Sequence, residues 1–538
     1  MQRDSNKAAK GISETRSRFS ALAGHIRAEA PSLGDSGIAI LSAILLIISF
    51  PDFNLWPLAW VSLVPILLAI ARRPSPVRSF ILGWLFGGVF FFGSCYWLTY
   101  SMIHFGGMPT PIAFVVLIPG ALTVGIFPAF FALALAQVMR RLGPPILFLA
   151  PAFWAALEWA RLGIAGQLWN AIGYSQAFHP NLIQPARWGG VYLVGFLILL
   201  VNTAIAFVAL KRTLRSALAS AAAILLVAIV LGAAHRIDPA IDAVATPDAV
   251  VVAVQPNVPM DLVKSVEDMK KLATRHFEMS ESALRALPSD AVPRLLVWPE
   301  SPMNFGYGGD AFLRERLAAF ARTHHTSILI NSQEVAPNDG IYNSALLINQ
   351  AGSLVTQYDK IRLLPFGEYV PLPQWLPGAG LIRGIVGDFT PGTNYRLMPV
   401  GSNRAGVFIC IESAYPSIAR SFTGEGADVL INISNDGYLG PTAVMRQHLA
   451  NAVFRAVEND RTVMRVTNTG ITALITPTGA VQDATEGFKP EVRTWRLTRS
   501  QSNKTFYVAH GDLFAAACAV LSLLLFGLSF MRRRSREL

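Results

Sequence analysis

Gly406–Pro416 reads G-V-F-I-C-I-E-S-A-Y-P. Val407, Phe408 and Ile409 form a short apolar run of the kind that makes a buried strand, and the run ends on Cys410. Ile411 and Glu412 follow, then Ser413 and a helix-compatible segment. A thiol where a buried strand gives way to a helix stands where α/β enzymes often place reactive groups. A thiol also has the chemistry of an acyl carrier, because it attacks carbonyls and leaves again readily. Taken alone, Cys410 reads as a small core residue, since free Cys is among the most buried types. The rest of the chain decides between the two readings.

Outward from this stretch, residues 236–510 alternate strand and helix patterns. Strands are predicted at 250–254, 295–298, 327–330, 406–410, 429–433, 463–466 and 472–475, and helices at 261–287, 311–324 and 443–458. Residues 345–348 and 354–358 flank an Ala351-Gly352 turn and read as a hairpin. The alternation implies a layered α/β domain with a mixed sheet. Glu300 ends one predicted strand, in V-W-P-E-S-P, and Lys360 ends another, in Y-D-K-I-R-L-L-P-F-G-E-Y-V-P. A Glu after Trp-Pro alone reads as a turn cap, and a Lys after Asp359 as a solvated charge. A base, a cation and a nucleophile, each at a strand end of one domain, read instead as groups converging on one rim.

The chain of 538 residues is 52% hydrophobic and only 15% charged, with a mean hydropathy of +0.43. That is too apolar for an ordinary soluble protein and predicts an integral membrane protein. Residues 1–35 are polar and mixed in charge, and read as a cytoplasmic tail without a signal-peptide cleavage pattern. Apolar segments long enough to cross a bilayer follow near 36–52, 55–71, 79–101, 112–138, 145–162, 189–210 and 217–235, with an eighth near 513–530. Arg72, Arg73 and Arg78 follow the second, Arg140 and Arg141 the fourth, Lys211, Arg212 and Arg215 the sixth, and Arg532, Arg533, Arg534 and Arg536 the eighth. The turns after the first and third carry no Lys or Arg. This alternation predicts both termini inside and the 236–510 domain outside. The basic residues of the inside stretches account for the formal net charge of +11, so the charge marks topology and not a nucleic-acid footprint. The predicted organisation is a tail (1–35), a membrane domain of seven helices (36–235), a catalytic domain (236–510), and an eighth helix with a basic cytoplasmic tail (511–538).

Two features inside the membrane part stand out. Glu158 sits in an apolar segment, in L-E-W-A-R, with Arg161 three residues on. An intramembrane carboxylate is a functional candidate, and an i,i+3 ion pair near a helix end is the plainer reading. The loop 163–188 contains Gln167, Trp169, Asn170, Tyr174 and Gln176, which fits either a lipid-headgroup site or an aromatic interface belt. Of the three cysteines, Cys95 and Cys518 lie in apolar segments and Cys410 is alone in its domain. A lone thiol outside the cytoplasm, where thiols tend to be oxidised, is better explained by chemistry than by cross-linking. The nine histidines show no metal-binding spacing, and no Walker or dinucleotide glycine pattern occurs, so no metal or cofactor is expected.

W-P-E-S, then D-K-I-R-L-L-P-F-G-E-Y-V-P, then C-I-E-S-A-Y-P is the Glu–Lys–Cys order of the nitrilase superfamily. With eight flanking membrane segments, S-N-D-G-Y-L-G (434–440) and R-A-V-E-N (455–459), the chain resembles the apolipoprotein N-acyltransferases over almost its whole length after residue 35. The residue after the nucleophile is often aromatic in that family and is Ile411 here. The resemblance implies an αββα nitrilase-like domain on the periplasmic side of a bacterial inner membrane, in a monomer. It implies transfer of the sn-1 acyl chain of a membrane phospholipid, through a Cys410 thioester, to the N-terminal amine of a diacylated apolipoprotein. Glu300 is then the general base, Lys360 the oxyanion stabiliser, and Glu368 and Glu412 supporting carboxylates that hold Lys360 or position the acceptor.

Overall fold

The protein was analysed as a computed structural model that describes residues 29–235, 247–261, 265–288, 292–370, 389–498 and 503–531. Most of the predicted tail and the four arginines at 532–536 lie outside these residues.

The first half is helical: α1 (Leu33–Ile47), α2 (Val64–Arg72), α3 (Pro76–Ser94), α4 (Leu98–His104), α5 (Thr110–Leu142), α6 (Ala150–Ala165), α7 (Ala186–Lys211) and α8 (Leu214–His235). Every apolar segment predicted from the sequence is helical. Among the described residues, five helical stretches are long and apolar enough to cross a membrane: Pro76–Ser94, Thr110–Leu142, Pro144–Ala165, Ala186–Lys211 and Leu214–His235. Leu33–Ile47, Trp56–Arg72 and Leu513–Leu528 are shorter apolar helices. The second of these is split by prolines into a 3₁₀ turn at Trp56–Trp60 and the nine-residue α2, since proline lacks an N–H and clashes with the preceding turn. The segment predicted at 79–101 ends at Ser94 and resumes as α4. Arg78, one of the basic residues that mark an inside loop, is buried and ion-pairs with Asp35 at 2.6 Å.

Helices α3 and α5 meet through small residues. A Cβ on Gly125 would lie 2.7 Å from the Gly88 backbone nitrogen. Such close backbone approach is how helices associate in lipid, where apolar side chains gain nothing by leaving the solvent.

The second half is a four-layer sandwich. Strands β1 (Ala249–Gln255), β2 (Arg294–Val297), β3 (Ser327–Val335), β4 (Ile341–Ile348), β5 (Leu354–Asp359) and β12 (Glu491–Leu497) form one sheet in the order β12-β1-β2-β3-β4-β5. Strands β6 (Leu397–Val400), β7 (Asn403–Ile409), β8 (Val429–Ser434), β9 (Val463–Thr467), β10 (Ala473–Ile475) and β11 (Val481–Gln482) form the other, in the order β11-β10-β9-β8-β7-β6. Val251, Val297, Leu329 and Ala345 of the first sheet share a core with Val407, Ile409, Ile431 and Val466 of the second. The alternate residues Val252, Leu296, Ile328 and Leu346 face α9 (Val266–Arg285) and α10 (Ala311–Thr323) through Phe277, Leu284, Leu313 and Leu317. On the far side of the second sheet lie α11 (Pro416–Gly424) and α12 (Val444–Asn459). Two further helices, α13 (Phe506–His510) and α14 (Leu513–Leu528), lead back to the membrane part. The predicted helix at 261–287 starts at Val266, after Ser265 caps it. Strands β6, β11 and β12 have no sequence prediction; β6 and β11 are only four and two residues long.

The two halves are joined by buried polar contacts. Gln447 on α12 accepts from the indole N–H groups of Trp97 (3.0 Å) and Trp169 (2.9 Å) and donates to the carbonyls of Pro51 (3.2 Å) and Ser94 (3.1 Å). Glu458 accepts from the Val191 N–H at 3.0 Å, where α7 restarts after the non-helical pair Gly189-Gly190. Gly190 has φ +65°, and a Cβ there would meet the Tyr507 ring at 2.7 Å.

The α3–α5 contact yields a test. Gly125→Leu should destabilise the protein by about 1–3 kcal/mol, the usual cost of overpacking. Gly120→Leu on the same helix should be nearly neutral, because nothing lies within 4 Å of a Cβ there. Thermal unfolding in detergent measures both; equal melting temperatures would refute the packing argument.

Candidate active site

Three strand ends bring the site together. β2 stops at Val297, and Trp298 continues its pairing by donating its backbone N–H to Leu329 O at 2.9 Å. The Trp298 indole is buried against Phe277, with Nε1 on Ser280 Oγ at 2.9 Å. That anchor, followed by Pro299, leaves Glu300 on the rim. β5 ends at Asp359, and the backbone of Lys360 is held by Asn343 O and Gly392 N, both at 2.8 Å. β7 ends at Ile409, and Cys410 starts a 3₁₀ turn with φ +53°, a left-handed conformation that costs a non-glycine residue free energy.

Lys360 is 1% exposed. Its Nζ donates to Glu368 Oε1 at 2.9 Å and reaches Glu300 Oε1 at 3.5 Å. Asn343 Nδ2 donates to the same two oxygens, at 2.7 Å to Glu368 and 2.9 Å to Glu300. The second Glu368 oxygen accepts from Leu364 N at 2.7 Å. Glu368 is thus fully engaged in holding the lysine. Glu300 Oε2 accepts no hydrogen bond among the described residues, and its side chain is 15% exposed. Burial alone disfavours the Lys360 ammonium, but the charges of Glu300 and Glu368 outweigh it and raise its pKa above the ordinary lysine value. Cys410 feels the same cluster. Burial and then Glu300 push its thiol well above the ordinary range, and the opposing pull of Lys360 does not offset them. At rest Cys410 is a thiol.

The rim faces the membrane helices. Tyr438 stands beside the site, its hydroxyl raised first by burial and then by the charges of Glu300 and Glu368. Ser101 on α4 donates to the Tyr438 carbonyl, and Phe105 packs edge-on to the Tyr438 ring at 5.9 Å.

Residues 42–204 match the apolipoprotein N-acyltransferase N-terminal domain, and residues 250–505 match the carbon-nitrogen hydrolase family. An apolipoprotein N-acyltransferase from Geobacter metallireducens is 32% identical, over 92% of this chain and 95% of its own length. The chain belongs to the apolipoprotein N-acyltransferase family. A relative of the same name from Azotobacter vinelandii is also 32% identical, over 93% of this chain and 95% of its own. An amidase of the nitrilase superfamily from Nesterenkonia AN1 aligns with 51% of this chain and 99% of its own at 17% identity, with a TM-score of 0.36. The protein is therefore an enzyme, an acyltransferase with a carbon–nitrogen hydrolase domain.

Of the two supporting carboxylates, Glu368 touches Lys360 directly and Glu412 does not. Glu412 is fully buried and accepts from Tyr358 OH (2.8 Å), Ile361 N (2.8 Å), Arg362 N (3.0 Å) and Ile409 N (2.8 Å). It ties the end of β7 to the backbone that follows Lys360. Burial raises its pKa, with the N–H groups of Ile409 and Arg362 pulling the other way. These bonds hold two strand ends of the site relative to each other. Ile411, beside the nucleophile, is partly buried against the core.

Glu158 and Arg161 do not pair with each other. Glu158 Oε1 accepts from Ile172 N at 2.9 Å, and Arg161 donates to Trp169 O at 2.7 Å and Gln167 Oε1 at 3.0 Å. Both grip the 163–188 loop, whose Trp169, Asn170, Tyr174 and Gln176 are buried. That loop is the seam between membrane helices and catalytic domain, where the sequence suggested a headgroup site or an interface belt. Sequence reasoning missed Asn343 altogether. Its signal is an asparagine on the face of β4 that Ala345 and Leu347 turn to the core.

Glu412→Gln puts an amide NH₂ among donors that need an acceptor. It should cost about 1–3 kcal/mol and slow alkylation of Cys410 by iodoacetamide. Thermal melting and labelling kinetics check it; unchanged labelling would mean that Glu412 does not set the geometry of the rim.

Proposed function

We propose that the enzyme moves the sn-1 acyl chain of a membrane phospholipid onto the free α-amine of a diacylglyceryl-cysteine at the N-terminus of an apolipoprotein, through a thioester at Cys410. The observation that carries this reading is the buried cluster of Lys360, Glu300 and Glu368 acting on one thiol.

Glu300 accepts the Cys410 proton as sulfur attacks the ester carbonyl, because its Oε2 is the carboxylate oxygen left unengaged. Lys360 balances the oxyanion of the tetrahedral intermediate. The glycerol C–O bond breaks, the leaving oxygen takes the proton back from Glu300, and lysophospholipid departs. The lipoprotein amine then attacks the thioester and gives its proton to Glu300. The C–S bond breaks, Cys410 is reprotonated, and an amide remains. A raised thiol pKa suits this sequence, since the thiol loses its proton only as the new bond forms.

Both substrates are lipid-anchored, so the rim must meet the bilayer, and the contact of α4 with Tyr438 supports that placement. In the proposed topology all eight apolar segments cross the inner membrane of a bacterium. The tail (1–35) and the C-terminus are cytoplasmic, and the domain at 236–510 is periplasmic. The enzyme acts as a monomer. A membrane-impermeant thiol probe on intact spheroplasts should reach cysteines placed in exposed loops of 247–498, and should reach one beside Arg140 only after lysis. The reverse pattern would exclude a periplasmic active site.

The chemistry is tested with purified protein given phospholipid and no acceptor. A fatty-acyl mass increase should appear on the peptide that carries Cys410, and hydroxylamine should remove it. Glu300→Gln should slow its formation by 10²-fold or more, as loss of a general base does (roughly 10²–10⁴), and Cys410→Ser should show little acyl-enzyme. A diacylglyceryl-cysteine peptide should discharge the thioester, and an N-blocked one should not. Steady release of free fatty acid without amide would make the enzyme a hydrolase.

A further inference from the structure

Behind the nucleophile lies a buried chain of polar groups that the proposed mechanism does not use. Arg465 on β9 donates to Asp436 at 2.9 and 3.1 Å. Asp436 Oδ1 lies 2.7 Å from His448 Nδ1, and His448 Nε2 lies 3.0 Å from the Cys410 carbonyl oxygen. All three side chains are buried. Against burial, which would raise it, Arg465 and His448 hold the Asp436 carboxyl at about 2, so it is an anion that fixes one side of the ring. On the other side, Trp169 from the membrane seam packs on the imidazole at 5.4 Å. The ring is held at its edge by Asp436 and packed by Trp169.

A carbonyl oxygen only accepts, so the nitrogen facing it must carry the proton. Burial and Arg465 act against a charged ring and lower its pKa, while Asp436 and the Cys410 carbonyl favour the charge. The Asp436 carboxylate only accepts as well, so both ring nitrogens face acceptors, and the Nε2–H donor belongs to the imidazolium that Asp436 and the Cys410 carbonyl favour. That donor falls on the residue whose backbone is left-handed. The other donor near the Cys410 carbonyl is Asn432 Nδ2, at a longer 3.5 Å.

We propose that His448 is a positioning residue for the nucleophile: its Nε2–H clamps the Cys410 carbonyl and holds the elbow from which Sγ is presented. His448 touches neither substrate nor the reacting atoms. It acts through the conformation of Cys410, and this role rests on Cys410 being the acyl acceptor.

Two substitutions separate this role from mere packing. His448→Gln places an amide N–H near the former Nε2 and retains a donor to the Cys410 carbonyl. His448→Asn reaches only as far as Nδ1 and loses it. With phospholipid as donor, acyl-Cys410 formation should fall by roughly 10²-fold in His448→Asn, the scale of a nucleophile misplaced by about 1 Å, with an unchanged lipid KM. His448→Gln should recover most of the rate. Equal rates in the two variants, at matched melting temperatures, would overturn the clamp. If neither variant folds, nitrogen NMR of histidine-labelled wild-type enzyme decides: a protonated Nε2 at neutral pH supports the clamp, and a bare Nε2 overturns it. Iodoacetamide labelling of Cys410 keeps the two readings distinct. A difference between Asn and Gln in labelling, with no acyl-enzyme even in the wild type, would leave the clamp standing and sink the acyl-transfer reading.

Discussion

The active site depends on one constraint: a buried lysine must be paired. Lys360 lies at the centre of the sandwich rim with almost no exposure, and a lone ammonium there would carry a desolvation cost of several kcal/mol. Two carboxylates meet that cost, and they do so from different elements. Glu368 comes from the loop after β5, and Glu300 from the end of β2 on the same sheet. Asn343 on β4 bonds both, so the carboxylates are held at a fixed spacing although like charges repel. Two acids on one base leave an excess negative charge. Burial first, and that excess second, push up the pKa of Cys410, the residue directly after β7 on the facing sheet.

Buried polar contacts add to the shared apolar core in fixing the facing sheet to this cluster. Glu412 reaches from the Cys410 turn to the backbone after Lys360. Gln447, one residue before His448, takes two indole N–H groups and gives two amide hydrogens, all from or to the first half of the chain. Buried networks of this kind specify geometry, because each unmade bond would leave an unsatisfied group. Helix α12 therefore carries the position of the membrane helices, on one side chain, next to the position of the nucleophile, on the other.

Much of this was legible in the sequence, and the limits have physical causes. Apolar runs such as V-F-I before Cys410 and L-L-V before Trp298 report burial directly, so the ends of the strands that lead to Glu300 and Cys410 are found to within a residue, while the start of β7 lies three residues earlier than predicted. The helices of the membrane part are equally plain, because lipid requires continuous apolar segments. What periodicity cannot report is which residues meet across the fold. Asn343, Asp436, His448 and Arg465 are scattered over more than a hundred residues and reach their partners only through the tertiary fold. Short strands escape for a different reason: β11 has two residues and no pattern to show. The 163–188 loop misled because Trp, Asn and Gln have the same composition in an interface belt as in a buried seam. Only the grip of Glu158 and Arg161 on its backbone separates the two.

The total charge of the cluster stays constant through the proposed reaction. With Glu300 and Glu368 ionised and Lys360 charged, the resting site carries a net single negative charge. In the proposed reaction the Cys410 proton moves to Glu300, and the site still carries one. When the thiolate's charge passes to the tetrahedral oxyanion, the total is again unchanged, and Lys360 now faces the new anion. Charge is redistributed over a few ångströms but never added to a buried volume, so no step incurs a fresh desolvation cost. Removing Glu368 would leave that constancy intact but set the charge at zero, and it would leave the ammonium with a partner at 3.5 Å in place of one at 2.9 Å. Glu368 therefore maintains the electrostatic setting in which Glu300 can exchange a proton with both nucleophiles, sulfur in the first half-reaction and nitrogen in the second.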